Sequence, residues 1–269
     1  MTSTQPQSAE VAAHSVFSRV VVGIDGTEPG FEAARQAAQL VEPDGWLEVF
    51  SAVYLVGATL AGWSAARIAK ELDLEAGEAM REAEQIVGPR AVSRLVNGPP
   101  LEALTEELER ESATVVALGT HEPSRVSEIA IGGVAGQLLH DAPCSVLIAR
   151  PPVIEPLFPQ SIVVGFDGSP QAERALAVGQ YLADRFDASL RVITALHGKD
   201  IDLERVRSTA PSAVAIDERP VRALVEASKD ADLVVVGSRG LHGFRALGSV
   251  SERVAHRARS SVLVVRGRG

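Results

Sequence analysis

The chain has 269 residues, of which 46% are hydrophobic and only 4% aromatic, so its cores must be built from Ala, Val and Leu rather than from rings. That length suits two domains of ordinary size better than one. A net charge of -9 leaves a nucleic-acid role without its electrostatic footprint, and a single cysteine, Cys144, excludes an internal disulfide.

Met1 to Ser18 carries no Lys or Arg, so it reads as a mobile tail and not as a signal peptide. No apolar run approaches the roughly 18 residues of a membrane span. With the lone cysteine, this points to a cytoplasmic protein that does not meet a membrane. Cys144 itself, in Ala142-Pro143-Cys144-Ser145, reads as a small buried residue rather than a nucleophile.

Val20-Val21-Val22-Gly23-Ile24-Asp25-Gly26-Thr27 is expected to form a buried strand, a turn, and a helix capped by Thr27. In the first half the periodicity places strands near 20–24, 47–53, 92–96, 114–118 and 145–149, and helices near 28–40, 64–87, 100–111 and 133–140. Arg150 to Pro159 follows, where four prolines forbid helix and favour an extended linker. Ile162 to Pro170 then repeats the opening pattern, with Asp167 standing 142 residues after Asp25, Ser169 as cap and Pro170 at the first helical position.

Two further matches keep the same order. Leu118-Gly119-Thr120-His121 pairs with Val236-Gly237-Ser238-Arg239 at an offset of 118, and Ser145-Val146-Leu147-Ile148 pairs with Ser261-Val262-Leu263-Val264 at 116. The chain is a tandem duplication. Its expected divisions are a tail over 1–18, a first domain over 19–150, a linker over 151–160 and a second domain over 161–269. The falling offset shows that the second half lacks 24 residues where the first carries its longest helix, leaving a short helix near Ile201 to Ser208. A second copy of the chain is the expected cover for the face so exposed.

The second half ends in the most chemical stretch. Leu233 to Val236 reads as a buried strand; Gly237, Gly240, Gly243 and Gly248 interrupt all periodicity; Ser249-Val250-Ser251-Glu252 has capping-box spacing. Strand, glycine loop and helix N-terminus in that order suit a phosphate, because free N–H groups and the helix dipole favour an anion. The alternative is a tight turn and a cap with no guest.

With those residues in place, the sequence resembles the universal stress protein family in its tandem form, over about 19–150 and 161–267. The resemblance implies two doubly wound α/β units, each an open parallel five-stranded sheet of order 3-2-1-4-5. It also implies that Val146–Ala149 and Val262–Val265 pair antiparallel, making one chain a pseudo-dimer. The family pattern is a strand ending in Asp and a loop of the form Gly-x2-Gly-x9-Gly-Ser/Thr. In the first half Glu122 replaces the second glycine and Gly133 the hydroxyl residue; in the second all four residues are present but the loop is two residues short.

A second-half nucleotide site is therefore implied at Gly165, Phe166, Asp167, Leu196, Gly237, Arg239, Gly240, Gly248, Ser249, Val250 and Ser251. A degenerate first-half site is implied at Asp25, Val53, Gly119, His121, Gly132 and Gly133. The implied ligand is ATP or another adenine nucleotide such as AMP or cyclic AMP, with or without Mg2+. Asp25 and Asp167 either bind a ribose or close a turn with the following glycine. Arg239 and Arg245 are phosphate partners or solvated surface residues. His140 and His256, each late in a helix, read as charges suited to the helix dipole. The expected function is a stress-response sensor or adaptor with an unidentified protein partner; the alternative is a nucleotide-independent scaffold. An enzyme ranks last, for want of a Walker or nucleophile-elbow motif.

Overall fold

The computed structural model describes residues 15–54, 65–120, 132–152, 157–197, 201–238 and 250–267. The first half contains strands β1 (Arg19–Gly23), β2 (Trp46–Val53), β3 (Val92–Asn97), β4 (Val115–Gly119) and β5 (Ser145–Ala149). They alternate with helices α1 (Glu28–Leu40), α2 (Ala65–Val87), α3 (Pro100–Arg110) and α4 (Gly133–Asp141). The second half repeats the plan as β6 (Ser161–Gly165), α5 (Pro170–Phe186), β7 (Ser189–Ala195), α6 (Leu203–Thr209), β8 (Val214–Ile216), α7 (Pro220–Ala227), β9 (Leu233–Gly237), α8 (Val250–Arg257) and β10 (Ser261–Val265).

The two expected five-stranded sheets are one ten-stranded sheet, ordered β3-β2-β1-β4-β5-β10-β9-β6-β7-β8. Each half keeps the order 3-2-1-4-5 with parallel pairs. Among the described residues only the central pair is antiparallel, with Leu263 opposite Leu147 and Val262 opposite Ile148. All five residues of β5 and of β10 are buried, because helices cover both faces and a neighbour strand covers each edge.

Side chains alternate across this sheet and feed two cores. Leu147 and Ala149 face one layer with Phe31 of α1, Met80 of α2 and Leu176 of α5. Val146 and Ile148 face the other with Leu104 of α3, Leu138 of α4, Leu224 of α7 and Val254 of α8. Both layers run through the two halves without a break. Cys144, 4% exposed, belongs to the second of them, as a small buried residue should.

One expectation needs correction. The tail does not extend to residue 18: Ser15–Phe17 is a 3-10 turn, and Phe17 is fully buried beside Val20 and Leu40, since its ring removes more apolar area than any neighbour in the strand. Residues 1–14 and 153–156 lie outside the described residues. In the linker, Phe158 is likewise buried, and its N–H donates to Gln39 Oε1 of α1 at 3.0 Å. On the shortened half the seven-residue α6 buries Val206 against the core that holds Val164 and Val192.

The seam is tied by arginines that cross it. Arg150, just after β5, donates to Ser260 O at 3.1 Å and Ala255 O at 2.5 Å at the end of α8. Its counterpart Arg266, just after β10, donates to Ala142 O and Leu139 O, both at 2.6 Å, at the end of α4. Arg185 of α5 reaches Leu40 O and Val41 O, both at 2.7 Å, at the end of α1. A cation at a helix C-terminus answers both the orphan carbonyls and the dipole.

Candidate functional site: two strand-end clefts

Each half opens a cleft beyond the carboxyl end of its first strand, the place where strand order reverses. The strand runs on slightly past the sheet: Ile24 N donates to Phe50 O at 2.8 Å, and Phe166 N to Ile193 O at 2.9 Å. Hydroxyls of Ser51 and Thr194 hold the same turns by donating to Ile24 O and Phe166 O at 2.8 and 2.9 Å. Asp25 and Asp167 are thereby set at the cleft mouths. Asp25 Oδ1 accepts from Thr27 N at 3.1 Å and Thr27 Oγ1 at 2.6 Å, and Asp167 Oδ1 accepts from Ser169 N at 3.0 Å. The glycines between them, Gly26 and Gly168, stand at φ +77 and +76, which explains why each Asp is followed by Gly. The turn-closing role is present in both halves, and it uses one carboxylate oxygen of each Asp.

Gly119 and Gly237, at the ends of β4 and β9, prove to be demanded by packing. A Cβ on Gly119 would stand 2.3 Å from Pro29 O, and one on Gly237 the same distance from Gln171 O. The first turn of α1 or α5 lies directly on the strand end. These glycines bring a helix N-terminus against the cleft, whatever the cleft holds.

In the second half Gly165, Phe166, Asp167, Gly237, Val250 and Ser251 come together around a cavity of about 290 Å³. Leu196 does not join them; its N–H donates to Ile216 O at 2.9 Å and so extends the sheet. Arg239, Gly240, Gly248 and Ser249 lie outside the described residues, as do Gly243 and Arg245. The structure adds residues the sequence reading missed: Ser169 and Ser238, His197, and Leu139 and His140 from the first half. His197 Nε2 lies 2.6 Å from Asp217 Oδ1. No motif could have flagged His140 here, since it reaches this cleft only through the antiparallel seam.

In the first half Asp25, Val53, Gly119, Gly132 and Gly133 line a cavity of about 960 Å³, while His121 and Glu122 lie outside the described residues. Volume favours this cleft over the other; charge does not. Glu75, Glu78 and Glu82 of α2 join Asp25 in its lining, and no Lys, Arg or His does so among the described residues. Among the described residues the second cleft has one carboxylate, Asp167, with two imidazoles. The difference follows from the 24 missing residues, because the seven-residue α6 stands in the chain where the first half has the 23-residue α2 that carries the three glutamates.

The sequence profile of the universal stress protein family matches residues 17–150 and 202–266. The chain belongs to the universal stress protein family. The stretch between the matched segments forms β6, α5 and β7 in the same order as β1, α1 and β2, so this universal stress protein is a tandem of two units. It is similar to a universal stress protein of Mycobacterium tuberculosis (strain ATCC 25618 / H37Rv), 32% identical over 203 residues that span 65% of this chain and 68% of the relative. Another from Mycobacterium tuberculosis (strain CDC 1551 / Oshkosh) is 27% identical over 312 residues, 92% of this chain and 94% of the relative. The crystal structure of a universal stress protein from Archaeoglobus fulgidus superposes with a TM-score of 0.71 at 21% identity, covering 94% of this chain and 99% of that one, a likeness of fold. Among the described residues no helix is long and apolar enough to cross a membrane.

Proposed function

We propose that this universal stress protein binds an adenine nucleotide in the cleft of its second half and works in the cytoplasm as a stress-response sensor or adaptor, not as an enzyme. The observation that carries the reading is the contrast in lining. The second cleft sets Asp167, Gly237, Ser251 at a helix N-terminus and two imidazoles around a cavity near the lower end of ligand-sized pockets, roughly 300 Å³. The first surrounds its space with four carboxylates, which repel a polyphosphate. In this reading the base and ribose occupy the strand ends near Phe166 and Asp167, and the phosphates lie toward the first turn of α8. Any Mg2+ would be held chiefly by phosphate.

Thermal denaturation tests it. ATP at about 100 times its dissociation constant should stabilise the folded protein by ~2.7 kcal/mol, a shift of at least several degrees. Ser251→Asp should abolish that shift by placing a carboxylate against the phosphates, while Glu82→Gln in the first cleft should leave it unchanged. An equal shift in Ser251→Asp would refute the site. No shift with ATP, AMP or cyclic AMP would favour the nucleotide-independent scaffold.

A further inference from the structure

The second cleft is not made by the second half alone. Leu139 and His140, on the last turn of α4, line it beside Val250 and Ser251 on the first turn of α8. The seam dictates this meeting. Each helix enters the central strand that follows it, α4 into β5 and α8 into β10, and those strands are antiparallel. The two helices share one face of the sheet, so the C-terminal end of one comes beside the N-terminal end of the other.

A histidine on a last helical turn ordinarily serves the carbonyls there. In α4 that task is taken by Arg266, whose Nη1 donates to Ala142 O at 2.6 Å and whose Nη2 donates to Leu139 O at 2.6 Å and Leu138 O at 3.3 Å. The guanidinium of this half-buried arginine ties the turn on which the half-buried His140 stands. His140 thus stands on a tied turn in the lining of the cleft that Val250 and Ser251 of α8 also line, where an imidazole N–H can donate to an anionic oxygen.

We infer that His140 reads the phosphate chain of the nucleotide in the second cleft, a contact supplied by the first repeat to the site of the second. The inference rests on the nucleotide reading above. It makes the preference for ATP over adenosine a property of the whole chain, since neither half contains both Asp167 and His140.

The test is a ladder of ligands, adenosine, AMP, ADP and ATP, titrated by calorimetry into the full-length protein and into His140→Ala and His140→Gln. Loss of one charge-assisted hydrogen bond should weaken ATP and ADP about tenfold in His140→Ala and leave adenosine unchanged. His140→Gln, which keeps a donor, should fall between. Urea denaturation without nucleotide checks that both variants fold, and the Gln variant keeps the test open if the Ala variant does not. ATP binding at wild-type strength in both variants would overturn the role of His140 while leaving the nucleotide site intact. An equal loss for adenosine and ATP would overturn phosphate reading in favour of cavity shape. Failure of the wild type to bind any of the four would overturn the site and this inference together.

Discussion

Glu48 is the residue least expected in a buried strand. It lies in β2 beneath α3, 1% exposed, against Glu107 at 3%. Burial, and then the neighbouring Glu107 carboxylate, push its pKa up to about 8. For Glu107 burial also acts upward, but the hydrogen bond from Arg110, with Arg94 Nε 3.1 Å away, outweighs it and holds that carboxyl below the ordinary range. The two groups therefore act in different pH windows. A carboxyl raised from about 4.5 to about 8 lends stability that is complete below 4.5 and is lost as pH rises through 8; one lowered lends stability above 4.5 that is lost in acid. Glu48→Gln should remove the first dependence. Urea midpoints measured from about pH 5 to about pH 9 should fall for the wild type relative to the variant. Parallel curves would mean that Glu48 is ionised in the folded protein at neutral pH.

Among the elements, the helices flanking the seam show how one half completes the other. Arg150 from the first half donates to Ala255 O in the last turn of α8 and to Ser260 O just beyond it. Burial lowers the pKa of Arg150 to about 10, so it remains charged at neutral pH with helix carbonyls as its partners. Gln36 of α1 and Ser261 of β10 join the same node: Ser261 Oγ lies 2.8 Å from Gln36 Oε1, and Gln36 Nε2 donates to Arg150 O at 2.6 Å. Arg150→Met keeps much of the volume but leaves Ala255 O and Ser260 O unanswered, and should cost about 1.5–3 kcal/mol in urea denaturation. A loss under 0.5 kcal/mol, the range of an ordinary surface change, would show that water replaces the guanidinium without penalty.

At the scale of the whole molecule, the antiparallel pairing of β5 with β10 makes one sheet of two repeats. Removing residues 151–269 would bare β5, whose five residues are all buried in the intact chain. An open, apolar central edge seeks another strand, and a second copy offers the same one. The isolated first half should therefore run as a dimer on size exclusion, with Ala149 and its neighbours repeating the seam. A well-behaved monomer would mean that the pairing is weaker than the buried area suggests.

The succession of elements was legible in the sequence because it is written locally. Val-rich runs, Thr27 and Ser169 as caps and the Asp-Gly turns each constrain a few neighbouring residues, and α1 and β5 begin and end where periodicity placed them. The duplication and the family followed from comparing such stretches in order, at offsets that fall from 142 to 116 along the chain. What the sequence could not show depends on which distant segments share a face. Phe17 and Phe158 looked like tail and linker until the joint core took their rings. Gly119 and Gly237 looked like parts of a phosphate loop alone until a helix was found lying on each. Nothing near His140 in the chain marks it for the second cleft; the antiparallel seam decides that, by setting the end of α4 beside the start of α8.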